Sequence, residues 1–230
     1  TGDREAKLLP PANFDAVSEL PGVVKIVRNG SFLAVVTERE EQAVNAANAL
    51  ASLCRWQGAE LPFQEGRISA WLKKAPADVK VVAERGAIGA GNILRTVSQE
   101  YSRPFQAHAS MSPSMAIAQE ADGQLTVWSH TQGVFMLRGA IARLVGLDED
   151  SVRLINAEAA GCYGHNGADD AAADAALIAM QMPGKAIRLQ WSRADEFLGE
   201  PYGSAMTTRI SAGLDDAGRI VDWQFDVWSG

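Results

Sequence analysis

Two β-branched runs joined by an Asn-Gly turn, with an alanine-rich stretch close behind, limit the first quarter of this chain to one local arrangement. Val23-Val24-Lys25-Ile26-Val27 reads as a strand, and Phe32-Leu33-Ala34-Val35-Val36 as its return. Arg28-Asn29-Gly30-Ser31 between them is hairpin-like, because Asn-Gly tolerates positive φ. From Glu38 to Leu53, apolar residues at Ala43, Ala46, Ala47 and Leu50 recur with a helical period, and Trp56 follows. The segment is a ββα unit with a structural role.

The next stretch is less regular. Leu61 to Leu72 fits a short helix and Val79-Lys80-Val81-Val82 a short strand. Gly86, Gly89 and Gly91, with Arg85 beside them, resemble a phosphate loop in composition. A dinucleotide fingerprint needs a helix start after the glycines, whereas the residues after Gly91 alternate like a strand, so a linker is the better reading. From Asn92 onward strands and helices mix. Ile93 to Tyr101 is extended, and Met115 to Ala118 and Leu125 to Trp128 flank an Asp122-Gly123 hairpin turn. Val134 to Leu144 is helical up to Gly146, and Val152 to Ile155 is a strand. A second alanine-rich helix runs to about Met182 and is stopped by Pro183-Gly184. Ile187 to Trp191 is a strand, Arg193 to Phe197 a short helix, and Met206 to Trp228 a long hairpin. The fold class is α+β.

Charge excludes two functions. With 21 basic against 28 acidic side chains, the net charge of −7 lacks the concentrated basic face that nucleic-acid and membrane-surface binders need. No apolar run reaches the roughly 20 residues of a membrane helix. Two cysteines, Cys54 and Cys162, are too few for a disulfide scaffold. The start at Thr1-Gly2-Asp3-Arg4 reads as a cut end.

Chemistry concentrates in the loop from Ala160 to Gly167. Gly161, Gly164 and Gly167, spaced by three, allow backbone to approach a ligand. Asn166 is placed to cap the following helix in a box with Asp169, which turns the helix's free N–H groups toward the loop. Asp169 and Asp170 in the first turn oppose an anion there, and the residues alone leave both an anion site and a plain capped helix open. Cys162 and His165 suggest a nucleophile and base, but no orienting third residue accompanies them. Cys162, His165, Asp169 and Asp170 mix soft and hard ligands at no zinc spacing. In Thr131-Gln132-Gly133, the glutamine presents an amide at a helix start, able to hold an oxo or carbonyl group or simply to shape the turn. His108, His130, Arg138 and the dispersed tryptophans have packing or surface roles as their ordinary explanation.

The order of these pieces resembles the molybdenum-cofactor-binding large subunit of the xanthine oxidase family, nearest to isoquinoline 1-oxidoreductase-type subunits and related bacterial aldehyde dehydrogenases. Leu20 to Val36 with the alanine-rich helix is similar to that family's α/β-hammerhead domain. His108-Ala109-Ser110-Met111-Ser112-Pro113 resembles its His-Ala-x-Met-Glu-Pro segment, and Trp128-Ser129-His130-Thr131-Gln132 its Trp-x-x-Thr-Gln stretch. Ala160 to Asp170, with its Gly161-Cys162-Tyr163-Gly164 run, sits where the family has its Gly-Gly-Phe-Gly loop.

The resemblance implies a hammerhead-like portion with linker over residues 1–85, then the first part of a molybdopterin-binding domain over 86–230. It implies cofactor contacts from Gln132, Gly161, Cys162, Tyr163 and Gly164, with Gln132 bonded to an oxo ligand and the Gly164 N–H as a donor. The cofactor would be molybdopterin with molybdenum, in the cytosine dinucleotide form. The implied partners are an iron–sulfur electron-transfer subunit, the remainder of the same large subunit and a small-molecule substrate. The implied reaction is hydroxylation with water as the oxygen source. Ser112 stands where many relatives have Glu, and Gly167 where xanthine oxidase has a substrate-binding Glu, so an aldehyde or N-heterocycle is expected rather than a purine. The family's general-base Glu has no counterpart in these residues, which makes this stretch inactive alone. A non-catalytic binding or assembly module sharing the fold is the alternative.

Overall fold

The computed structural model describes residues 6–9, 13–58, 63, 66–86, 91–159 and 161–230. The chain forms two compact units, each drawn from two stretches of sequence. The first comprises residues 1–60 and 108–201, the second 61–107 and 202–230.

In chain order, β1 (Lys7–Leu8), α1 (Asp15–Ser18), β2 (Val23–Asn29), β3 (Phe32–Thr37), α2 (Glu40–Leu53) and β4 (Trp56–Gln57) open the first unit. The β2–β3 hairpin turns through Gly30 at φ +59°, as Asn-Gly dictates. Val17, Ala46 and Leu50 form a small core beneath it. The second unit then contributes α3 (Ile68–Leu72) and β5 (Arg95–Arg103). The first unit resumes with β6 (Met115–Ala121), β7 (Gln124–Ser129), α4 (Val134–Val145), β8 (Val152–Asn156), α5 (Ala168–Ala179), β9 (Ala186–Gln190) and α6 (Arg193–Gly199). Last come β10 (Met206–Leu214) and β11 (Ile220–Ser229), which belong to the second unit.

The main sheet has the order β8-β7-β6-β9, with β7 and β8 parallel and the other pairs antiparallel. Alternate residues of β6 and β7 are buried, including Ala116, Ala118, Leu125 and Val127. This is the period-2 pattern of a sheet with a covered face. Its cover includes α5, whose Ala171, Ala172, Ala175, Ala176 and Ala179 are all 0% exposed, so helix and strand backbones approach closely. Leu137, Ile141 and Ala142 of α4 join the same core. Each fully buried Leu or Ile contributes about 1.5–3 kcal/mol relative to exposure. Val27, Phe32, Ala34 and Val36 tie the ββα segment into this core, and the Lys25 ammonium donates to the Gln181 carbonyl at 2.7 Å.

The second unit is the antiparallel sheet β11-β10-β5. Glu100 of β5 accepts from Lys73 at 2.7 Å and Arg209 at 3.4 Å, and chiefly the Lys73 bond holds its carboxyl below the usual range.

Three local expectations change. Val79 to Val82 forms no strand: Val79 is 93% and Val82 90% exposed, and no neighbouring strand pairs with them among the described residues. The helix expected over Leu61 to Leu72 spans Ile68–Leu72, and part of the earlier stretch lies outside the described residues, as do Gly89 and Ala160. The capping box of Asn166 with Asp169 does not form: Gly167 is the N-cap of α5, and Asn166 instead accepts the first helical N–H, that of Ala168, at 3.2 Å. A capping box forms instead on α6, where Ser192 and Asp195 exchange bonds.

Candidate functional site

Two stretches of the first unit meet at one cavity of about 200 Å³, lined by Gln132, Gly133, Met136, Cys162, His165, Asn166, Ala168 and Asp169. The turn that presents Gln132 is anchored on both sides. Thr131, 2% exposed, accepts the Gly133 N–H at 3.0 Å, and its carbonyl accepts Asn156 Nδ2 at 2.7 Å. Gln132 itself is exposed, and its amide bonds to none of the described residues. The helix α4 starts just after it at Val134.

The loop opposite is stapled by Asn166, 4% exposed, which donates to the Gly161 carbonyl at 3.5 Å and accepts the Ala168 N–H at 3.2 Å. Ser129 Oγ donates to the Ala168 carbonyl at 3.3 Å, tying the end of β7 to the start of α5. Within the loop Gly161, Tyr163 and Gly164 have φ of +86°, +59° and +140°. Tyr163, 63% exposed, thus holds a left-handed conformation that costs a non-glycine residue about 1–2 kcal/mol.

Each of the three spaced glycines faces an aromatic ring. A Cβ on Gly161 would lie 2.7 Å from the Tyr163 ring, on Gly164 2.2 Å from the His108 imidazole, and on Gly167 2.2 Å from the Trp191 indole. The His108 and Trp191 rings exclude side chains at Gly164 and Gly167, whereas at Gly161 the positive φ disfavours one and the exposed Tyr163 ring can give way. Of the expected contact residues, Gln132 and Cys162 line the cavity. Gly161, Tyr163 and Gly164 belong to the same loop without lining it.

Cys162 and His165 share the cavity, but the Cys162 thiol donates to the Gly164 carbonyl instead of to an imidazole. The thiol is therefore engaged by a main-chain acceptor and not by the His165 ring. No group of three or more His, Cys, Asp or Glu able to hold a metal occurs among the described residues. His130 accepts the Met115 N–H through Nε2, and burial lowers its pKa against the attraction of Glu196 and Asp169. Burial, with Asp169 adjacent, raises the carboxyl of Asp170, while His165 pulls it down.

Support for the site comes from residues that the sequence did not single out. Glu196, 0% exposed, accepts the Ser114 N–H, and Glu200, 2% exposed, accepts the His108 N–H at 2.7 Å. Arg193 donates to the carbonyls of Ser110 at 2.6 Å and Met111 at 3.1 Å. The helix α6 thus grips the segment carrying His108, whose ring backs Gly164. The signal available was the Ser192-x-x-Asp195 capping pattern that starts this helix; Glu196 lies on α6, while Glu200 is its extended C-cap.

The molybdopterin cofactor-binding domain family matches residues 76–230. The chain belongs to this family. Within the molybdopterin-binding family, a nicotinate dehydrogenase subunit from Pseudomonas putida is 37% identical over 99% of this chain and 19% of that protein. The beta subunit of isoquinoline 1-oxidoreductase from Brevundimonas diminuta is 27% identical over 66% of this chain and 19% of its own length. Quinoline 2-oxidoreductase from Pseudomonas putida 86 superposes with a TM-score of 0.69 at 18% identity, covering 96% of this chain and 34% of that one. The chain therefore carries the large-subunit fold of the molybdenum hydroxylases of the xanthine oxidase family and spans about a fifth of the curated relatives it matches.

The donor set suits one end of a molybdopterin cofactor. Gln132 offers an amide unengaged among the described residues and suited to oxo atoms, while the α5 N-terminus at the cavity carries Asp169 and Asp170 in its first turn.

Proposed function

We propose that this chain supplies the wall facing the metal in a molybdenum hydroxylase large subunit, which oxidises an N-heterocycle or an aldehyde with oxygen taken from water. The observation that carries this is the meeting of Gln132 with the Cys162 loop at one cavity, two stretches 30 residues apart in sequence (162 minus 132). Two relatives bear the names of N-heterocycle enzymes, nicotinate dehydrogenase and isoquinoline 1-oxidoreductase, which favours the heterocycle.

In this reading Gln132, Gly161, Cys162, Tyr163 and Gly164 hold the cofactor, a molybdopterin in its cytosine dinucleotide form. When bound, that group supplies the redox chemistry of hydroxylation. The chain's own share is orientation. Gln132 positions a donor on an anchored turn, and the Gly161–Gly164 loop offers main-chain groups. Residues 1–85 serve as a hammerhead-like portion and 86–230 as the start of the cofactor domain. Electrons leave to an iron–sulfur subunit, and the 230-residue stretch alone is inactive.

The test is the molybdenum and pterin-nucleotide content of the full-length subunit purified with its native partner subunit. Near-stoichiometric metal is expected, with turnover of an N-heterocycle. Its absence from protein made in a cofactor-competent host overturns the reading and leaves a binding module of this fold.

A further inference from the structure

The three-stranded sheet of the second unit has its polarity reversed. Facing residues of antiparallel strands point to the same side, so the register places Val97 and Tyr101 of β5 in the rows of Trp223 and Val227 of β11, with Phe225 between. These five are 44, 59, 54, 49 and 54% exposed in the order named. The opposite side carries Glu100 and Arg209 in ion pairs, and it is the side that α3 reaches through Lys73. A sheet ordinarily turns its apolar side inward and its charged side to water. Here the charged side has the helix, and the aromatic side is uncovered among the described residues. The outer edges of β5 and β11 are also unpaired among those residues.

We propose that this aromatic face seats polypeptide that the full-length subunit carries beyond these 230 residues. This rests on the large-subunit reading above. The occupant follows from size and chemistry: the matched stretch is 19% of the P. putida nicotinate dehydrogenase protein and 34% of the quinoline enzyme's chain, so most of such a subunit lies outside it. A strand-built face of two valines and three aromatic rings, with an open edge, fits an apolar element of the same subunit that packs on it or extends it.

Hydroxyl-radical footprinting read by mass spectrometry tests this on the 230-residue chain and on the full-length subunit with its native partner, each normalised to its denatured state. Tyr101, Trp223 and Phe225 are expected to oxidise freely in the 230-residue chain and at least tenfold more slowly in the full-length subunit. Equal oxidation in both overturns the proposal. Protection already in the 230-residue chain also overturns it, assigning the face to a second copy if it grows with concentration and to the chain itself if it does not. Phe225→Asp gives a second reading: it should leave the melting midpoint of the 230-residue chain unchanged and deprive the full-length subunit of soluble expression. Normal yield of the full-length variant counts against the proposal. Metal analysis of the same full-length sample separates the two ideas. A protected face without molybdenum removes the hydroxylase reading and keeps the docking, and a loaded subunit with a freely oxidised face removes the docking alone.

Discussion

The indole of Trp191 occupies the space that a side chain at position 167 would need. A Cβ on Gly167 would fall 2.2 Å from its Cζ3 and one on Gly199 2.9 Å from its Cη2, so the ring is wedged between the start of α5 and the end of α6. Its N–H bonds the Asp174 carboxylate. Gly167 has φ −80°, a conformation any residue adopts, so the requirement there is purely steric. Gly167→Ala should therefore destabilise the fold by roughly 1–3 kcal/mol in urea unfolding, the usual cost of overpacking. In a Trp191→Leu background most of that penalty should vanish, and its persistence would show that the ring is not the obstacle.

Asp174 gives the first unit an acid-side gain in stability. Burial pushes its pKa up to about 6, against the Trp191 bond, with Asp170 adding repulsion. A carboxyl whose folded pKa lies above its unfolded value of about 3.9 holds its proton more tightly when folded. Its contribution is complete below about pH 4 and is lost as pH rises through about 6. Asp174→Asn retains an acceptor for Trp191 and removes the titration. The difference in unfolding free energy between variant and wild type should grow in the variant's favour from pH 4 to pH 7, by at most about 2–3 kcal/mol. A flat difference would rule the assignment out.

Glu200 separates acceptor from charge. One oxygen takes the His108 N–H, while the other is buried without a partner. Glu200→Gln keeps the acceptor and removes an uncompensated charge, so its thermal midpoint should equal or exceed that of wild type. Glu200→Ala strands the His108 N–H and should cost roughly 1–3 kcal/mol. Amide exchange at His108 and Gly164 should quicken in the alanine variant only.

Ser192→Ala removes the box that starts α6, at a cost of about 0.5–2 kcal/mol in urea unfolding. Because Arg193 and Glu196 on that helix hold the 110–114 backbone, exchange at Ser114 should rise with it.

Much of the fold was legible because its signals are local. Asn29-Gly30 and Asp122-Gly123 fix their hairpins through positive φ, Gly146 ends α4 at φ +74°, and alternation marks β6 and β7. Val79 to Val82 misled because β propensity describes a residue's fit to a sheet and says nothing about whether a partner strand is available. The meeting of Gln132 with the Cys162 loop, the rings seated on Gly164 and Gly167, and the Glu196 and Glu200 carboxylates bonded to the 108–114 segment all depend on contacts distant in sequence. Neither spacing nor composition encodes them. The order of motifs, matched as a set, pointed to the family where single residues did not.

The split of each unit into two stretches of sequence has a consequence for the chain as it is made. Strand β5 pairs with β10, and the Ser98 hydroxyl bonds the carbonyl of Ile210, 112 residues later. At a synthesis rate of roughly 5–20 residues per second, β5 waits on the order of 6–20 s after leaving the ribosome before that partner exists. During the wait the earlier unit completes itself around the loop, and the nascent strand must be kept from foreign pairing by a chaperone or by its own charges, Arg95, Glu100 and Arg103.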